Sequence, residues 1–384
     1  MFKTFSYRQF DYLLVLLVLT LNTIGLFAIR SAAPDLQSKQ FMGMAVGILF
    51  MVFCSMLDYT KLLKGFVLYY LLAIVLLILV LLLGSTGGGA QRWFAIGGIT
   101  FQPSEAAKLL LILFFAAFLQ KYKERLSPLM MTFILLLFIV PPLYLIQRQP
   151  DLSTTVVVFL IFCAILFVGG VPYRLVLIVL AAAIPAVAMF FFLVLQEGQD
   201  ILNDYQQGRI LSWLFPERYP DLAFQTLNSI TAIGSGQLTG KGYNNNEISS
   251  VLNSGFISQS QTDFIFTVIS EEFGFIGSIA VVFLILFITI RCFMLARKAK
   301  DTAGMIICAG VGAWIGFQGY INIGVVMGLL PNTGLPLPFV SYGLTSLLSL
   351  YLGLGFVLNV GMQSAPQMTA TTVGRIRTPI TKRG

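Results

Sequence analysis

Asp263 stands in Gln261-Thr262-Asp263-Phe264, just ahead of a long apolar run that starts at Val268. The chain contains no histidine. That removes the usual general base, the commonest metal ligand and every Ser-His-Asp arrangement. Acid–base work must fall to Asp, Glu, Lys or Tyr. A carboxylate partly withdrawn from water has a raised pKa and is a better base, which makes Asp263 the first candidate. Glu105 and Lys108 are three residues apart, on one helical face inside an apolar segment. They read as a self-neutralising structural pair or as cavity groups, and the cost of intramembrane charge favours the second. Asp151, in Arg148-Gln149-Pro150-Asp151-Leu152-Ser153-Thr154, suits a helix cap as well as a site. Arg92, Arg209 and Arg218 carry guanidinium groups that can meet a phosphate, and the last two serve equally as loop salt bridges.

The elements that must position these residues are membrane spans. Of 384 residues, 57% are hydrophobic and only 10% charged, and mean hydropathy is +0.88. A soluble domain carries about 25% charged residues, so this is an integral membrane protein. Apolar segments of bilayer length fall at 12–29, 41–57, 66–84, 105–120, 129–147, 153–169, 175–195, 268–290, 304–328 and 343–361. The expected fold is therefore all-α, with about ten transmembrane helices in one polytopic domain over 1–384. The N-terminal ten residues, with Lys3 and Arg8, read as a short tail. The first apolar segment is too long for a removable signal peptide and no small-residue cleavage site follows it.

Charge sets the orientation. With the N-terminus inside, sixteen of the 24 Lys and Arg fall in inside segments and seven outside, while Lys108 lies within a span. The asymmetry puts both termini in the cytoplasm and every polar motif on the outer face. A formal charge of +8 then reflects topology and not nucleic acid, since no basic run is interleaved with aromatics. Cys54, Cys163, Cys292 and Cys308 lie in or beside apolar segments, so neither a disulfide framework nor a zinc site is implied.

One polar stretch, 196–267, interrupts the spans. It includes Asp200, Asp204, Arg209, Arg218 and the run IGSGQLTGKG from Ile233 to Gly242. A loop this long is functional or disordered, and its Trp213, Phe215, Tyr219, Phe224, Ile230 and Leu238 argue for a folded extracytoplasmic loop. The glycine run lacks the Lys-Ser/Thr ending of a phosphate loop and reads as a tight turn where backbone approaches a ligand or another helix. Glu271 and Glu272 should lie about two turns into the next span, with at least one facing protein or water. In Pro331-Asn332-Thr333-Gly334-Leu335-Pro336-Leu337-Pro338, three prolines exclude a helix and predict a rigid re-entrant loop.

With these motifs in view, the sequence resembles the SEDS family (shape, elongation, division and sporulation) of RodA, FtsW and SpoVE proteins. The resemblance rests on GAQRWFAIGGITFQPSEAAK, QPDLSTT, AIGSGQLTGKG, QTDFIFTVISEEFGFIG and GLLPNTGLPLPFVSYG, in that order between predicted spans, and covers nearly the whole chain. It implies a peptidoglycan glycosyltransferase that polymerises lipid II on the outer leaflet beside a class B penicillin-binding protein. The family's catalytic aspartate falls on Asp263, its QPSE glutamate on Glu105, the following lysine on Lys108 and its PDLS aspartate on Asp151. The FDYLL start at Phe10 and closely spaced loops resemble the RodA branch, and hence the elongation machinery. Three departures stand out: Ser258-Gln259-Ser260-Gln261 where the family has Pro-Glu-Gln/Arg-His, Phe224-Gln225 where it has Tyr-Gln, and Leu344-Thr345-Ser346 where it has Gly-Ser-Ser. They spare the carboxylates and bear on acceptor fit, with Gln225 kept as a substrate-binding candidate.

The chemistry implied is attack of one sugar's C4 hydroxyl on C1 of another with inversion, expelling undecaprenyl pyrophosphate. Asp263 is the expected base. The leaving group needs positive charge, from Arg92, Lys108, Arg209 and Arg218 or from a divalent cation such as Mg or Mn held by carboxylates. A lipid II flippase and a non-catalytic scaffold are the alternatives. Buried charges and broken segments suit transport too, but no inverted repeat is visible.

Overall fold

In a computed structural model, residues 9–87, 90–96, 99–196, 204–244, 260–332 and 334–363 are described. The tail reading of 1–8, Asp200, Ser258, Gln259 and the basic C-terminal stretch lie outside them. The chain runs α1 (Tyr12–Ala32), α2 (Pro34–Met56), α3 (Tyr59–Leu62), α4 (Phe66–Leu83), β1 (Ser85–Gly87), β2 (Ala90–Ile96), β3 (Ile99–Phe101) and α5 (Pro103–Tyr122). It continues α6 (Pro128–Arg148), α7 (Leu152–Val168), α8 (Tyr173–Val194), α9 (Asp204–Leu214), α10 (Pro220–Ser235), α11 (Ile265–Lys298), α12 (Thr302–Val326) and α13 (Leu344–Met362).

Among the described residues, nine helices are long and apolar enough to cross a membrane. A tenth apolar helix, α7, has 17 residues. These ten coincide with the ten expected spans. Their starts follow local rules. Asp11, Asp151 and Asp301 accept from the backbone N–H three residues on, at 2.9, 3.2 and 2.7 Å, and so cap α1, α7 and α12. Pro34, Pro103, Pro128 and Pro220 occupy first helical positions, where a missing N–H costs nothing.

Burial sorts the helices by place. Nearly all of α5, α12 and α13 is buried, while α4 and α8 expose Leu68, Leu71, Leu82, Ile178, Ile184 and Phe192. Inside a membrane that exposed set is the lipid-facing coat. α13 packs on α2, α12 on α5, α7 and α11, and α4 on α5. α4, α6, α8 and α12 end, and α5, α7, α11 and α13 begin, at one end of the bundle. The site is built there.

Three features shape that end. First, the segment after α4 forms a small antiparallel sheet in the order β1-β2-β3, with Ser85 opposite Trp93 and Phe94 opposite Phe101. Second, the described part of the polar stretch contributes α9 and α10. Third, the turn after α10 grips α11. Lys241 and Gly242 N–H donate to Glu271 and Glu272 carbonyls at 2.9 and 3.1 Å, and Phe275 N–H donates to Gln237 O at 2.8 Å. α11 breaks there, at Gly274, with φ +64° and ψ −158°. A Cβ on Gly236 or Gly240 would lie 1.9 or 2.0 Å from the carbonyl of Ser270 or Glu272. The glycine run is thus a close approach of backbone to another helix. Glu271 and Glu272 are both buried, the first bonded to Lys241 at 2.7 Å and the second accepting from Ser31 and from Asn244 N–H.

Candidate active site

The segment 327–343 enters the bundle, as its prolines require. Leu335, Leu337, Phe339 and Val340 are buried. Non-helical backbone at this depth needs donors for its carbonyls. α12 and the first two helices supply them. Gln318 Nε2 donates to Pro336 O at 2.9 Å, Asn322 Nδ2 to Leu335 O at 2.6 Å, Asn22 Nδ2 to Phe339 O at 2.9 Å and Gln40 Nε2 to Ser341 O at 3.2 Å. The loop then holds the residues before α11: Ser341 Oγ donates to Thr262 O at 2.6 Å and Tyr342 N–H to Gln261 O at 2.9 Å.

A cavity of about 400 Å³ opens where this loop, the sheet, α9 and the start of α11 meet. Asp263, Arg92, Arg209, Gln102, Trp93 and Tyr342 are on its wall. The charged groups converge on one point. A Cβ placed on Gly334 would sit 3.3 Å from Asp263 Oδ2, 3.6 Å from Arg209 Nη1 and 3.9 Å from Arg92 Nη1. Gly334 itself has φ +72°, a left-handed value that glycine adopts without strain.

Withdrawal from water raises the Asp263 pKa from its ordinary 3.8 to about 6. Arg209 and Arg92 hold it back, and Asp151 adds to the rise. The carboxylate is therefore a base poised near neutrality.

Arg92 is fixed from behind. Its Nε donates to Gln149 O at 3.1 Å, its Nη2 donates to Pro150 O, and Nη1 lies 3.8 Å from Asp151 Oδ1. Asp151 thus caps α7 and lies beside Arg92, and it is absent from the cavity wall. Gln102 Nε2 reaches Asp151 Oδ2 at 3.4 Å.

Glu105 and Lys108 lie beneath the cavity and not on its wall. Both are fully buried, 2.6 Å apart, and Lys108 Nζ also donates to Gln318 Oε1 at 2.6 Å. Trp314 Nε1 donates to the same oxygen at 2.7 Å, and the Lys108 charge is 4.9 Å from the Trp314 ring. Through Gln318 the pair is joined to Pro336, which does face the cavity. The expectation that Lys108 meets the leaving group directly is corrected here, because its charge is spent on Glu105 and Gln318.

Two further candidates fall elsewhere. Arg218 is exposed, with its guanidinium 5.4 Å from the Phe215 ring, and it is absent from the cavity wall. Gln225 sits half-buried on α10, also off the wall. Residue spacing in a loop does not tell which way a helix face turns, and α9 turns Arg209 inward. Sequence reasoning passed over Gln102, Gln318 and Asn322. The last two carried a usable signal, since polar residues four apart inside an apolar span are costly unless bonded.

Among the described residues, no three Asp, Glu, Cys or His side chains gather to hold a metal ion. Asp263 has two guanidinium groups beside it, a poor setting for a divalent cation.

The sequence matches the profile of the FtsW/RodA/SpoVE family, described as cell cycle protein, over residues 9–365. The chain belongs to this family. It is similar to the peptidoglycan glycosyltransferase MrdB of Escherichia coli, with 33% identity over 367 residues, 93% of this chain and 95% of that one. It is also similar to the probable peptidoglycan glycosyltransferase FtsW of Enterococcus hirae, at 33% identity over 290 residues, covering 72% and 69% of the two chains. Two solved structures share the fold. One comes from work on the structural coordination of polymerization and crosslinking by a peptidoglycan synthase complex, with TM-score 0.74, 30% identity and coverage of 92% and 97%. The other is the rod shape determining protein RodA of Thermus thermophilus, with TM-score 0.68, 28% identity and the same coverage. The chain is accordingly a multi-pass membrane protein of the SEDS group.

Proposed function

We propose that this chain polymerises lipid II into glycan strands on the outer leaflet, with Asp263 as general base. The observation that carries the reading is the convergence of the Asp263 carboxylate with Arg92 and Arg209 on one point of an open cavity. The acceptor's C4 hydroxyl forms the new bond to donor C1 and gives its proton to Asp263. The bond from C1 to the lipid pyrophosphate oxygen breaks on the opposite face. Arg92 and Arg209 meet the charge that grows on the departing pyrophosphate, in a setting already oriented by Gln149, Pro150 and Asp151. With Arg92 and Arg209 beside Asp263, no step here is routed through a metal.

The floor of the cavity argues against a flippase. Glu105 and Lys108 are closed into an ion pair at 0% and 1% exposure under Trp314, and lipid headgroups gain no path past them. The positive-inside asymmetry supports cytoplasmic termini and an extracytoplasmic cavity. End-to-end similarity to MrdB, against partial similarity to FtsW, supports an elongation role. Similarity to a chain from a complex that coordinates polymerization and crosslinking supports a crosslinking partner, and the family resemblance makes that partner a class B penicillin-binding protein.

The deciding experiment gives the purified protein lipid II, first in detergent and then in vesicles. Glycan polymer is the expected product. Translocation without polymer would establish a flippase, and neither outcome would leave a scaffold.

A further inference from the structure

A second cavity, of about 330 Å³, lies at the end of the bundle opposite Asp263. It is set between α3, the start of α4, the end of α5 and the start of α12, and Lys64 and Lys121 are on its wall with Gln120, Phe66 and Asp301. Among the described residues neither lysine is ion-paired. Lys121 is instead held 5.1 Å from the Phe66 ring and 5.2 Å from the Tyr122 ring. The one carboxylate on the wall, Asp301, is committed elsewhere. Its Oδ1 accepts from Tyr59 OH at 2.9 Å and from Gly304 N–H at 2.7 Å.

Two cations therefore border the cavity against a single carboxylate, Asp301, whose Oδ1 is taken by neutral donors, and the wall keeps a net positive charge. Its apolar edge continues onto the exposed flank of α4, through Val67, Leu68 and Leu71. A ligand that satisfies both halves has an anionic phosphate head and an apolar tail. We propose that this cavity binds the headgroup of an anionic phospholipid in the leaflet opposite the catalytic cavity, with the phosphate between Lys64 and Lys121 and the acyl chains along α4. Gln120 Oε1 accepts from Ala303 N–H at 2.7 Å, which leaves its amide N–H groups for headgroup oxygens. Basic pockets between spans are a common setting for such heads.

The test is native mass spectrometry of the purified full chain with equimolar dioleoyl phosphatidylglycerol and dioleoyl phosphatidylcholine. The wild type should retain the anionic lipid selectively. K64Q/K121Q removes two exposed, unpaired charges, so the protein still folds. Retention should fall about thirtyfold, or about fivefold per lysine. R297Q/K298Q removes the same charge from the exposed end of α11 and should leave retention unchanged. Equal retention of the two lipids overturns the proposal, as does an equal fall in both double variants. Inorganic phosphate supplied alone should not bind at matched concentration; if it does, the site serves a soluble anion and the lipid assignment fails.

Discussion

The side-chain amide of Asn322 donates to Asp263 O at 2.8 Å and to Leu335 O at 2.6 Å. One group on α12 thus ties Asp263 to the re-entrant loop facing it. Asn322→Leu keeps most of the volume and leaves two carbonyls without their donor, each costing about 1–3 kcal/mol when buried. A lower melting temperature in detergent and at least tenfold less polymer are expected. Unchanged values of both would remove Asn322 from the positioning of Asp263.

Asp263→Asn should leave a folded, membrane-inserted protein that has lost about 10²–10⁴-fold in polymerisation, the usual worth of a general base. Asp263→Glu should retain some activity, with the base kept but displaced. Asn caps a helix about as well as Asp, so a capping role predicts a nearly silent change. Near-normal polymer from the Asn variant would move the search to Asp151 and Glu105.

The raised pKa of Asp263 sets a pH dependence. The base works ionised, so the rate should climb about tenfold per pH unit and level off above about 6. Stability runs the other way. The folded form holds its proton more tightly than the unfolded chain, whose value is near the ordinary 3.8. This contribution is full below that value and lost as pH rises through about 6. Asp263→Asn should therefore melt higher than wild type at pH 8 and no higher at pH 4. A rate profile flat from pH 5 to 8 would exclude Asp263 as the titrating base.

For the buried Glu105–Lys108 pair, either single neutralisation strands a charge and should cost about 3–5 kcal/mol. The double change Glu105→Gln with Lys108→Met should restore expression. It should not restore polymerisation, because the Lys108 bond to Gln318 at 2.6 Å is lost and Gln318 holds Pro336 on the cavity wall. Full recovery in the double variant would make the pair purely structural.

Orientation is open to labelling. The cysteines at 54, 163, 292 and 308 are buried, so background is low. A cysteine at Glu217, exposed between α9 and α10, should react with an impermeant reagent on intact cells, and one at Lys298 should not. The reverse pattern would put the catalytic cavity in the cytoplasm.

The ten spans were legible because a bilayer demands long apolar runs, and the re-entrant loop because Pro331, Pro336 and Pro338 leave no alternative. Asp263, Arg92 and Arg209 were legible as chemistry, but their meeting point was not. It depends on Gly334, which looks like an ordinary turn glycine in sequence. The sheet from Ser85 to Phe101 was missed since strands of three to seven residues leave too little alternation. Gln318 and Asn322 were counted as part of an apolar span, and only the loop packed against them reveals their use.

The break at Gly274 has a mechanical consequence. The turn after α10 is bonded across it, with two backbone bonds to the stretch Ile265–Phe273 and two to Phe275 and Ile276 beyond it, while Asp263 sits two residues ahead of the start of α11. The first stretch of α11 is therefore coupled to α10 at one end and to Asp263 at the other. A load carried by α10 would reach Asp263 through this stretch and through the Asn322 and Ser341 bonds that hold it, without entering the cavity.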